Sequence, residues 1–81
     1  MKNLDAFEFQ MLAGTQLMEE LITNKALICL KDTDKNVHEI AESVSINMYY
    51  VRHHDFDHMA TLYFANPIDK SRFLDAVNQN I

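Results

Sequence analysis

Eighty-one residues set a single domain, 1–81, near the lower size limit for independent folding. Apolar residues make up 48% and charged residues 23%, with one Gly and one Pro, which excludes a disordered chain, a flexible linker and a Gly-rich phosphate loop. Twelve acids against seven Lys and Arg leave a net charge of −5, which argues against direct nucleic-acid binding and favours basic protein partners.

The N-terminal "MKNLDAFEFQ" has acids where a secretion signal needs an apolar stretch, and no run approaches the roughly 18 apolar residues of a membrane span. Cys29 is the single cysteine, inside the apolar run "ALICL", and is expected as a buried, inert thiol. Together these features predict a cytoplasmic protein without disulfides.

Asn3 can cap a first helix, with Asp5 in its first turn. Leu4, Phe7, Met11, Gly14, Met18 and Leu21 recur at spacings of three and four, so the pattern predicts one amphipathic helix that stops near Asn24. Gly14 is expected to mark a close backbone approach. "ALICLK" predicts a strand, and the polar "DTDKN" predicts a hairpin turn after it.

Two periods compete in "VHEIAESVSINMYYVRHH". Glu39, Ile40 and Ala41, with Val44, Ile46 and Val51, resemble a helix-turn-helix DNA-binding motif over about twenty residues. That resemblance implies a transcriptional regulator with Asn47, Tyr49, Tyr50 and Arg52 on the recognition helix. Ser45 stands where the motif's turn usually has Gly, and His54 where its last anchor is apolar. The alternation of Val44, Ile46, Met48 and Tyr50 with Ser43, Ser45, Asn47 and Tyr49 instead predicts a half-buried strand.

"HMATLYFA" predicts the next strand. A three-residue loop of Asp55, Phe56 and Asp57 sets Met48 opposite Phe64, Tyr50 opposite Leu62, and Arg52 opposite Ala60. This register leaves one nearly apolar face and is preferred for that reason. The final "NPIDKSRFLDAVNQNI" opens with a helix start at Asn66, Pro67 and Asp69, and its buried stripe is Ile68, Phe73, Ala76 and Val77. The expected fold is α+β in two layers, a helix, a three-stranded antiparallel meander and a helix, with both helices on one sheet face. A helix-turn-helix with a short β element is the alternative.

Between positions 53 and 58 stand three histidines and two aspartates. In the preferred register His54 faces His58, and with Asp57 or Asp55 they are a candidate divalent metal site. The competing reading is a solvated hairpin tip, and no cofactor is expected. No nucleophile elbow or other catalytic constellation is present, so the chain reads as a non-enzymatic protein.

The candidate partner-binding surface is the sheet face opposite the core together with the hairpin tip: Asn47, Tyr49, Val51, His53, Asp55, Asp57, Met59 and Tyr63. A second copy of the chain is the alternative occupant. In architecture the expected fold resembles small acidic phage-encoded inhibitors of host defence, anti-CRISPR proteins among them. The resemblance implies occlusion of a basic, nucleic-acid-binding surface on a host protein.

Overall fold

The computed structural model describes residues 3–30, 37–54 and 58–79. Its elements are β1 (Asn3–Leu4), α1 (Ala6–Met11), α2 (Gln16–Thr23), β2 (Lys25–Cys29), α3 (Val37–Val44), β3 (Tyr49–His53), β4 (Met59–Phe64) and α4 (Pro67–Gln79). The fold is α+β. Among the described residues the sheet is four-stranded and mixed, in the order β1-β3-β4-β2, which replaces the expected three-stranded antiparallel meander.

The N-terminal segment forms two helices in place of one. Asp5 caps α1 through a reciprocal box, in which its carboxylate accepts from the Glu8 backbone at 2.7 Å and Glu8 accepts from the Asp5 backbone at 3.0 Å. Gly14 then takes a left-handed φ of 85°, and Thr15 caps α2 by accepting from the Met18 backbone. A Cβ on Gly14 would meet nothing within 4 Å. Its role is therefore the left-handed turn and not a close backbone approach.

This break resets the helical phase. Phe7 and Met11, expected in the buried stripe, are exposed, while Phe9 between them turns inward. Leu21 on α2 remains fully buried.

Strand β2 pairs antiparallel with β4, not with β3. Helix α3 lies between β2 and β3 in sequence, and β4 fills the gap between those two strands, a split β-α-β arrangement. The expected turn "DTDKN" lies outside the described residues. Helix α3 follows from Val37, Ile40, Ala41 and Val44 at helical spacing, and the first three are buried. The segment was expected as strand from about Ser43, but the strand begins only at Tyr49.

The helix-turn-helix alternative is overturned at the same place. Its "EIA" opening is helical, but Tyr49–His53, where its recognition helix would lie, is a β-strand hydrogen-bonded to β4.

The register of that hairpin differs by one residue from the expected one. Tyr49 faces Phe64, Tyr50 faces Tyr63, Val51 faces Leu62 and His53 faces Ala60. With period-two side chains, a slip of one residue exchanges the faces of the whole strand. Tyr49 and Val51 therefore join the core, and Tyr50 and Arg52 take the opposite face. The extra residue on the turn side is His58, held at φ 56° with its carbonyl accepting from the Leu30 backbone.

The main core contains Ala26, Ile28, Tyr49, Val51, Ala60, Leu62 and Phe64 from the sheet, packed against Val37, Ile40 and Ala41 of α3 and Phe73 and Val77 of α4. Phe64 and Phe73 meet at 5.2 Å between ring centroids. Helices α3 and α4 thus share one sheet face, but α1 sends Phe9 onto the other, so the two-layer expectation is corrected to helices on both faces. Cys29 is free and half-buried, less enclosed than expected.

Helix α4 starts as its sequence predicts, with Asn66 Oδ1 accepting from the Asp69 backbone at 2.8 Å. Ile68 departs from the expected stripe and is 64% exposed. Asp69, placed in the first turn as part of the helix start, is 1% exposed. Its Oδ2 accepts from the backbones of Ile46 and Asn47, at 3.2 and 3.0 Å. That carboxylate ties the α3–β3 connection to α4.

No helix in the described residues is long and apolar enough to cross a membrane.

Candidate functional site: an aromatic face and a histidine pair

The strand pairing that faces Tyr50 with Tyr63 sets their rings 5.7 Å apart, outside the main core. Phe9 covers both, stacked on Tyr50 at 4.3 Å and 18° and tilted against Tyr63 at 5.1 Å. Such offset aromatic pairs contribute about 0.5–1.5 kcal/mol each beyond their buried area. Beside this trio is a cavity of about 320 Å³ lined by Ala6, Phe9, Gln10, Tyr50, Arg52 and Tyr63. All three rings keep partial solvent access, and Arg52 is exposed.

Large apolar side chains are also exposed on α1, α2 and β2. Phe7 and Met11, one helical turn apart on α1, are 70% and 68% exposed. Leu27 pairs with Thr61 and so projects on the Tyr63 side of the sheet, 60% exposed; Ile22 of α2 is 48% exposed. The sequence pattern assigns Phe7 and Met11 to the buried stripe, and its preferred strand register assigns Tyr50 to the core face; only the helix-turn-helix alternative made Tyr50 a contact residue. The capping pair Asp5 and Glu8, followed by Gly14-Thr15, was the signal that would have split the first helix and exposed the first two.

Of the expected binding residues, Tyr49 and Val51 are removed from the surface by the register and are 1% and 8% exposed. Tyr63 and Met59 are half-buried, Asn47 and His53 are exposed, and Asp55 and Asp57 lie outside the described residues.

In the observed register His54 stands beside Met59 and no longer directly opposite His58, so the cross-strand placement of the candidate metal pair changes. His54 Nε2 lies 2.9 Å from Thr61 Oγ1 and its backbone donates to Met59, while His58 occupies the left-handed turn; Asp57 lies outside the described residues. The neighbour His53 instead meets His38 of α3, Nε2 to Nε2 at 3.0 Å, with ring centroids 5.2 Å apart. One imidazole must donate and the other accept, so at least one of the pair is neutral. Burial, and then the facing His53, hold His38 below the usual histidine range.

His38 also borders a cavity of about 440 Å³ with Asn3, Glu39, Glu42, Ser43 and Tyr49. Burial, and then the charge of Glu42, raise the Tyr49 phenol above its ordinary value. A raised folded-state value means the native protein keeps this proton after the unfolded chain has lost it. Stability from Tyr49 is therefore complete below pH ~10 and declines as pH rises through the native value. Phenolate absorbance should show a Tyr49 step above pH ~10 that is absent in Tyr49→Phe and that Glu42→Gln moves earlier.

Comparison with protein-family models, curated proteins and solved structures gives no match.

Proposed function

We propose that this chain is a non-enzymatic protein-binding module that docks on a basic protein surface through its α1–α2–β2 side. The observation that carries this reading is the exposure of Phe7, Met11, Ile22 and Leu27 on those three elements. A small domain gains nothing in its own core from apolar groups placed outward, whereas a partner interface draws its buried area from such residues. The net charge of −5 supplies the complement to a cationic partner and steers its approach.

Occlusion of a nucleic-acid-binding surface is the corresponding mode of action, since such surfaces are the commonest extended cationic ones. The likeness to phage-encoded inhibitors was drawn from a three-stranded meander; the observed sheet is four-stranded and mixed, so that likeness adds no support. The docking side also moves, from the expected hairpin tip to the helices that cover the same sheet face.

The test compares wild type with a Phe7→Ser, Met11→Ser, Leu27→Ser variant. All three side chains are exposed, so the variant should melt within a few degrees of wild type. A partner captured by the wild type from the native cell lysate, and released by moderate salt, should not be captured by the variant. Equal capture by both proteins overturns this docking side. A wild-type dimer that the variant converts to monomer would assign the same side to self-association and overturn the basic-partner reading.

A further inference from the structure

His38 and His53 come from different elements, fifteen residues apart in sequence, and are brought together only because β3 adopts its observed register. We propose that their two Nε2 atoms form a binding site for a borderline divalent transition cation of the zinc, nickel or copper(II) class. Two bonds of 2.0–2.1 Å meeting at a tetrahedral angle separate their nitrogens by roughly 3.3 Å. The observed 3.0 Å needs an opening of a few tenths of an ångström, within the reach of small rotations of the exposed His53 ring. Imidazole nitrogen selects this class of ion over calcium or magnesium, which require oxygen ligands.

The exchange of proton for metal balances without an added reactant. In the metal-free pair one Nε2–H points at the other Nε2. On binding, that ring moves its proton to Nδ1, both Nε2 lone pairs face the cation, and the net proton count is unchanged. Among the described residues no group of three His, Cys, Asp or Glu side chains converges, so the remaining positions belong to water or an incoming ligand. Such a site is open, in contrast to the closed four-ligand structural type. Glu39 and Glu42 border the cavity beside His38 and add negative charge near that ligand. The bound ion would cross-link α3 to β3, so it should stabilise the native state by mass action.

The experiment is thermal unfolding of the full chain at neutral pH with zinc chloride alone, then with nickel chloride, magnesium chloride, and zinc plus excess EDTA. Zinc and nickel should raise the melting temperature by several degrees, EDTA should reverse the shift, and magnesium should leave it unchanged. His53→Ala, at an exposed position, should retain the fold and lose the shift. His38→Gln, which keeps a polar side chain at the half-buried position, should lose it too. His54→Ala and His58→Ala should keep it. For either histidine variant, the histidine ring resonances in the wild-type NMR spectrum provide a second readout, with those of His38 and His53 moving first on zinc addition. Absence of any shift at millimolar zinc, or a shift that survives in His53→Ala, overturns the proposal.

Discussion

Replacing Tyr49 by Ala should destabilise the domain by about 3–5 kcal/mol, the cost of removing a buried aromatic side chain, whereas Tyr50→Ala should cost about 1–2 kcal/mol. The two neighbours are the same residue type in the same strand. Tyr49 is 1% exposed within the main core, and Tyr50 is half-buried in the Phe9 stack on the other face. A domain of this size has a total stability near the lower part of the usual 5–15 kcal/mol range. Tyr49→Ala should therefore be largely unfolded at 37 °C, and Tyr50→Ala should be folded. Urea titrations of both variants measure the difference directly. Equal losses, or a larger loss at Tyr50, would contradict the observed strand register.

Asp69→Ala is the second large effect, at about 3 kcal/mol. Hydrogen bonds to a charged acceptor are worth roughly 1.5–3 kcal/mol each, and the carboxylate holds two backbone N–H groups of the α3–β3 connection. The connecting segment is exposed at Ile46 and Asn47, so water recovers part of the loss and the sum falls below full additivity. The same carboxylate also faces the N-terminus of α4, a contribution of about 0.3–1 kcal/mol. In a domain of this length about 1 kcal/mol moves the melting temperature by 4–8 °C, so a fall of about 12–24 °C is expected. Asp69→Asn keeps one acceptor but sets an amide N–H₂ into a buried position where Oδ1 has no hydrogen-bond partner among the described residues. Its loss should be intermediate. An Asp69→Ala variant that melts with wild type would show that the connection is held by other contacts.

The same carboxylate illustrates the limits of reading this chain as a string. Asp69 in the first turn of a helix is a familiar surface position, and Asn66 and Pro67 mark that helix start correctly. Nothing local to "NPID" indicates that residues 46 and 47, twenty-odd positions earlier, deliver two backbone donors to it. Burial of the acid is a tertiary fact.

The histidine run behaves in the same way. "RHHDFDH" drew attention to the right stretch, but pairing His54 with His58 assumed a loop one residue too short. The structure gives the turn one more residue, and the ring that gains an imidazole partner is His53, with His38 from α3, a helix that only the helix-turn-helix alternative implied. The stripe of Val37, Ile40, Ala41 and Val44 could have revealed that helix, had its period not been set against the equally regular alternation that follows.

Residue type and local spacing were sufficient for the α+β class, the start of α4 with Phe73 and Val77 in its core, and the strands β2 and β4. These depend on contacts between near neighbours in the chain: caps, periodic apolar faces and turn residues. Tertiary structure alone decided the strand order, the one-residue register of β3, the docking of Phe9 onto Tyr50 and Tyr63, and the meeting of His38 with His53. The observed register also leaves one nearly apolar face, of Tyr49, Val51, Ala60, Leu62 and Phe64, contrary to the preference for the shorter loop on that ground. The choice between the two registers follows from which face α3 and α4 can fill with Tyr49 and Val51, and those contacts are formed by segments distant in sequence.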